Sequence, residues 1–181
     1  NMLTKTFVLE NSKSKKKRHD DVQRAVREYL EDPKCRVSYD DNGRPTVENT
    51  DEKYYISVTT TGEKMLALLT DYPCGIDGEY LPRFADKKAD YTALAERFFA
   101  DDESDFVRDN ETGTECERFV RVWVRKEAYV KCIGKGISFF PNFSVVENGR
   151  IASKLGPVSL KKFAIKFDGA EDYLFVIAQQ L

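Results

Sequence analysis

Apolar positions along this chain recur in two periods, and the switches between them predict its elements. Val22, Ala25, Val26, Tyr29 and Leu30 stand three and four apart, which places them on one face of a helix over residues 20–30, opened by Asp20 and stopped before Pro33. Asp41-Asn42-Gly43-Arg44-Pro45 is a turn by its chemistry. Residues 53–61 and 64–70 are rich in aromatic, β-branched and apolar side chains, so both read as strands, joined as a hairpin through Thr61-Gly62-Glu63. A short apolar-acidic strand is expected over 76–79. Helices follow over 91–99, 102–110 and 114–133; the last carries Phe119, Val120 and Trp123 on its apolar face, with Gly134 to close it. Strands are expected again at 144–147, 163–168 and 173–179, separated by Asn148-Gly149 and Asp168-Gly169. The order helix, strands, helices, strands predicts an α+β fold of two similar halves, residues 1–74 and residues 75–181.

Composition narrows the functional classes. At 181 residues the chain can bury a core without disulfides, and no apolar run approaches the roughly 20 residues of a membrane span, so no membrane role is expected. Asn1 before Met2 reads as a tag remnant, and no apolar signal-peptide core follows, which predicts a cytoplasmic protein. Lys and Arg total 29 against 31 Asp and Glu, a net charge of -2 that argues against a general nucleic-acid binder. Four irregularly spaced cysteines and a single His, His19, suggest neither a zinc site nor a disulfide framework.

Two constellations can carry chemistry. Asp77 and Glu79 are two apart in a predicted strand, so both carboxylates project to one side and can share a hard cation, magnesium being the natural choice. The same spacing also fits two solvated acids at a strand end. On the long helix, Trp123, Glu127 and Lys131 are four apart and form one stripe. Glu127 and Lys131 have the order of an exposed ion pair, but the indole on the same stripe points to partial desolvation, where ionisable groups tend to have work.

At these residues the sequence resembles a known family. Gly75-Ile76-Asp77-Gly78-Glu79 is similar to the G-[IV]-D-x-E motif of the 4'-phosphopantetheinyl transferase superfamily, and Trp123 to Gly136 resembles its W-x-x-K-E-[AS]-x-x-K-x-x-G-x-G motif. Arg97-Phe98-Phe99 and Gly43-Arg44-Pro45 resemble two shorter family motifs. Likeness covers most of residues 20–178, closest to the pseudodimeric type serving peptide and polyketide synthases. The resemblance implies two α+β halves in one chain and transfer of 4'-phosphopantetheine from coenzyme A to a serine of an acyl or peptidyl carrier protein. It assigns magnesium to Asp77, Glu79 and Glu127, the serine proton to Glu127, and the phosphates and the 3',5'-ADP leaving group to Lys131. Coenzyme A would be held by the turn Gly43, Arg44 and Pro45 and by Arg24, with some of Lys13 to Lys17 assisting.

One departure stands out. The family's serine-histidine-serine is replaced by Ser57-Val58-Thr59, so hydroxyls of Ser57, Thr59 or Thr60 are left to meet a phosphate. Gly78 between the two acids is also unusual. The rival reading is a non-catalytic member that binds a carrier protein or a nucleotide. A carrier-docking surface is expected near the cleft between the halves, with the aromatic residues of 138–146 (Phe139, Phe140 and Phe143) as candidates, although these rings can equally pack inside. A cleft built within one chain predicts a competent monomer.

Overall fold

The computed structural model describes residues 3–181; Asn1 and Met2 lie outside the described residues. The fold is α+β, and two antiparallel sheets lie face to face. The first sheet has the order β1 (Thr4–Glu10), β5 (Lys64–Thr70), β4 (Tyr55–Thr61). The second has the order β6 (Cys74–Tyr80), β11 (Tyr173–Gln180), β10 (Val158–Lys162), β9 (Lys154–Leu155). Two small hairpins complete the strands: β2 (Arg36–Tyr39) with β3 (Pro45–Glu48), and β7 (Val146–Glu147) with β8 (Arg150–Ile151).

The layering follows from alternation on strands buried on both sides. In β5, Met65, Ala67 and Leu69 pack with Val22 and Val26 of helix α1 (Lys15–Leu30), while Leu66 and Leu68 turn the other way to meet Ile76, Phe175 and Ile177 between the sheets. In β11, Leu174, Val176 and Ala178 face helix α5 (Glu115–Ile133), which closes the far side together with α3 (Tyr91–Phe98) and α4 (Asp101–Asp109). A short helix, α2 (Leu81–Ala85), follows β6 directly.

Helix α5 runs as its caps dictate. Thr114 and Glu117 make a reciprocal capping box, and Gly134 takes the left-handed conformation (φ 72°) that ends it. Helix α1 begins at Lys15, five residues before the expected start at Asp20, because Ser14 accepts from Lys17 N and the polar turn carries the Lys16–Asp20 and Lys17–Asp21 ion pairs. The basic run of 13–18 therefore lies mostly within a helical turn. Strand β1, ahead of that helix, was not expected from the sequence; it is a half-exposed edge strand whose pattern is weak until β5 pairs with it.

Residues 163–168 correct the expectation of a strand. Phe163, Ile165 and Phe167 do pack between the sheets, but the backbone leaves β11 after Phe163 N–H bonds Phe175 O, and the ladder is made instead by β10, which the pattern missed. The four cysteines are free thiols. Among the described residues no helix is long and apolar enough to cross a membrane.

Candidate active site

Strand β6 is the edge of the second sheet, and it meets the edge of the first through side chains. Ser57, Thr59 and Thr61 of β4, two residues apart and hence on one side, accept from the amides of Ile76 (3.0 Å), Gly78 (3.2 Å) and Tyr80 (2.8 Å). Three outward amides that an edge strand would leave open are satisfied by three hydroxyls. Gly75, Asp77 and Glu79 alternate onto the α5 side, where a Cβ on Gly75 would stand 2.1 Å from Ala128 O. Helix and strand thus approach at backbone distance. On the opposite side, a Cβ on Gly78 would meet the Phe175 ring at 2.1 Å, which explains the unusual glycine between the two acids.

The close approach brings the two motifs together. Lys131 reaches from α5 to Ile76 O (2.9 Å), Val58 O (3.3 Å) and Asp77 Oδ1 (3.2 Å), so it bridges both sheets. Among the described residues no ion pair joins it to Glu127, although their spacing on the helix permits one. Asp77 is buried; its Oδ1 also receives the Thr59 hydroxyl at 3.4 Å, and its Oδ2 has no partner among the described residues. Glu79 is held at 3.2 Å by Arg83, a residue of α2 that carried no expected role and whose only signal was its position four after Glu79.

Two of the three carboxylates feel the third, Asp77. Burial first, and then Asp77, push Glu79 up to about 7, with Glu127 adding to the shift; burial and then Asp77 also raise Glu127, against Lys131 and Arg44. Burial raises Asp77 despite Lys131. Among the described residues no three acidic side chains stand ready-assembled as a metal site. The donor chemistry nonetheless fits a hard cation: oxygen ligands only, all three raised, with one buried carboxylate oxygen unpartnered among the described residues.

Beside this cluster opens a cavity of about 790 Å3, lined by Gly43, Arg44, Pro45, Ser57, Glu127 and Lys131 among others. The β2–β3 turn supplies its rim. Asp40 Oδ1 accepts from the amides of Asn42 and Arg44 (both 2.9 Å), Gly43 is left-handed (φ 77°), and Arg44 is delivered to the carbonyls of Val130 and Lys135 at the C-terminal end of α5. Lys53, which sequence reasoning passed over, also lines the cavity, with its ammonium 5.1 Å from the Tyr55 ring. The two wall thiols, Cys74 and Cys132, are pushed up by burial to about 12 and about 11, so neither offers a thiolate at neutral pH.

Other expected residues lie elsewhere. Arg24 sits on the exposed surface of α1, 3.3 Å from Asp21, and does not line the cavity. Thr59 is 5% exposed and is turned into the seam between the strands. Phe140 is fully buried, whereas Phe139 and Phe143 are half-buried, Phe143 stacking on Tyr129 at 4.6 Å. The aromatic loop therefore packs in part and keeps Ile137 exposed at its start.

Comparison with known proteins agrees with this geometry. A family profile described as the 4'-phosphopantetheinyl transferase superfamily matches residues 73–173, the stretch that holds Asp77, Glu79, Glu127 and Lys131. The 4'-phosphopantetheinyl transferase psf-1 of Bacillus pumilus is 33% identical over 98 residues, 54% of this chain and 39% of that protein. The 4'-phosphopantetheinyl transferase gsp of Aneurinibacillus migulanus is 27% identical over 95 residues, 52% of this chain and 36% of that protein. For the 4'-phosphopantetheinyl transferase ffp of Bacillus subtilis the figures are 26% over 123 residues, 66% and 52%. The chain thus matches between 36% and 52% of the length of these relatives.

Proposed function

The chain belongs to the 4'-phosphopantetheinyl transferase superfamily, and from that premise we propose that it transfers 4'-phosphopantetheine from coenzyme A to a serine of an apo acyl or peptidyl carrier protein, releasing 3',5'-ADP. The observation that carries this reading is the meeting of Asp77, Glu79, Glu127 and Lys131 beside a cavity rimmed by Arg44. Residues 1–74 and 75–181 act as two halves of one unit, and a monomer suffices because both contribute to the cavity wall.

Asp77, Glu79 and Glu127 would hold magnesium, which when bound neutralises charge on the pyrophosphate. Arg44, with Gly43 and Pro45 shaping its turn, binds the coenzyme A phosphates at the rim; Ser57 forms part of the wall, and Arg24 contributes only at longer range. Lys131 leaves Asp77 for the pyrophosphate and stabilises the departing 3',5'-ADP. Glu127 accepts the proton of the carrier serine as its oxygen bonds phosphorus and the bridging P–O bond breaks; its raised affinity for protons, set by burial and Asp77, suits a general base. The half-buried rings of Phe139 and Phe143 and the exposed Ile137 give the carrier an apolar ledge beside the cavity.

The test is mass spectrometry of a panel of apo carrier proteins incubated with the protein, coenzyme A and magnesium. Addition of one phosphopantetheine group to a carrier serine is expected. Tight coenzyme A binding without any mass gain would favour a non-catalytic binding member instead.

A further inference from the structure

Three hydroxyls line the seam between β4 and β6, and only one of them also touches an acid. Ser57 and Thr61 accept an amide each, as Thr59 does, but Thr59 Oγ1 lies 3.4 Å from Asp77 Oδ1 as well. A hydroxyl has one proton and two lone pairs. With a lone pair already given to Gly78 N–H, the Thr59 proton is free for the carboxylate.

The consequence lies in how Asp77 is oriented. Among the described residues its Oδ1 receives the side chains of Thr59 and Lys131, while its Oδ2 is buried and receives none. Tilting the carboxylate part-way about its own axis would break both contacts, whereas a half-turn only exchanges two equivalent oxygens and restores the same arrangement, so what the two donors fix is the plane of the group. Lys131 is the transient donor of the two, since in the proposed reaction it moves to the pyrophosphate when coenzyme A binds. Thr59 cannot follow it, because it is anchored in a β-strand, 5% exposed, β-branched and tied to the Gly78 amide.

We infer that Thr59 is a positioning residue for the cation site: it holds Asp77 by Oδ1 and so presents Oδ2 to a divalent cation, a role that persists after Lys131 has moved away. The inference rests on the metal-dependent reading above. It also gives Thr59 a task different from contacting coenzyme A, and it treats the seam as part of the site and not only as the joint between the sheets.

The internal controls come from the seam itself. Thr59→Val keeps shape and removes the hydroxyl; Thr61→Val removes the equivalent amide acceptor, for Tyr80, without touching an acid; Thr59→Ser restores the hydroxyl. Each protein is titrated with Mn2+, the free ion being followed by its EPR signal, and is assayed for carrier modification and for thermal unfolding. Outer-sphere partners of metal ligands typically contribute 10–100-fold in affinity, so Thr59→Val should bind Mn2+ about tenfold more weakly than wild type. Thr61→Val should stay within about twofold and Thr59→Ser within about threefold of wild type, on the same scale. Equal Mn2+ affinity of the two valine variants would overturn the inference, even if the wild type modifies carriers normally. A wild-type protein that neither binds Mn2+ nor modifies any carrier would instead overturn the metal-dependent reading, and the role of Thr59 with it.

Discussion

Lys126 and Glu127 are neighbours on α5, yet they end in opposite electrostatic situations. Lys126 is completely buried and fully partnered: its ammonium meets Glu103 Oε1 (2.5 Å) and Phe143 O (2.7 Å) and lies 3.9 Å from the centre of the Phe143 ring. Glu103 is equally buried and equally satisfied, accepting from Ala100 N (2.9 Å) and Val145 N (2.8 Å). Burial pushes this acid up and this ammonium down, and their pairing opposes both shifts. Elsewhere on the helix, Glu127 feels Asp77, which together with burial raises both Glu127 and Glu79, and among the described residues one Asp77 oxygen is left unpartnered. The first arrangement closes on itself and ties the loop after α5 to α4. The second is short of positive charge, which is the condition that favours recruiting a cation.

The contrast can be broken from the structural side. Lys126→Met strands Glu103 as a buried, unpaired charge and should cost about 3–5 kcal/mol in urea unfolding. Adding Glu103→Gln to it should recover part of that loss. A small effect of the single substitution would mean that the pair is not the lock described here.

From the functional side, Glu127→Gln removes a negative charge from a cluster with too many. Transfer should fall by at least about a hundredfold, or about 2.7 kcal/mol of barrier, while the unfolding midpoint holds or rises and coenzyme A still binds through Arg44. Loss of stability in this variant would show that Glu127 resembles Glu103 after all.

Packing offers a third way to sharpen the comparison, because the spacing of the two acids on β6 depends on Gly78. Gly78→Ala drives a methyl into the Phe175 ring and should destabilise by about 1–3 kcal/mol. Combination with Phe175→Leu should restore most of it, as a urea titration of the double variant would reveal. No rescue would mean that the glycine is needed for its backbone and not for the room it leaves.

The smallest expected effect concerns Arg125, the third charged residue in this run. It is buried, its Nε has no partner among the described residues, and burial with Arg121 nearby pulls its guanidinium down to about 10, so it remains charged at neutral pH. One bond to Arg121 O (2.8 Å) is its compensation. Arg125→Met should raise stability by about 1 kcal/mol, since a buried polar group without a partner costs about that much; calorimetric unfolding of the variant checks it, and a lowered midpoint would reveal a compensating partner.

Much of this site was legible before any coordinates. The period of a strand puts Asp77 and Glu79 on one side, and the period of a helix puts Trp123, Glu127 and Lys131 on one stripe, because backbone geometry alone fixes which side chains of an element share a face. Thr114 and Gly134 mark the ends of α5 for the same local reason. Where local pattern was weak or the backbone's partner was remote, the reading failed: β1 needed β5 to define it, and residues 163–168 alternate correctly without pairing as a strand.

What only the tertiary structure decided is who partners whom. Lys131 could have paired with Glu127 four residues away; it went instead to Asp77, 54 residues distant, because Gly75 lets α5 settle onto β6. Ser57 and Thr59 read as hydroxyls left to meet a phosphate and Thr61 as part of a hairpin turn, and their use as the seam of two sheets appears only once the edges of β4 and β6 lie together. Lys126 stood inside a recognised motif without a visible task, since its partner Glu103 is 23 residues away on another helix. Sequence spacing determines direction within an element, whereas the compensation of a buried charge is a property of the assembled interior, and it is that compensation which separates the lock at Lys126 from the site at Glu127.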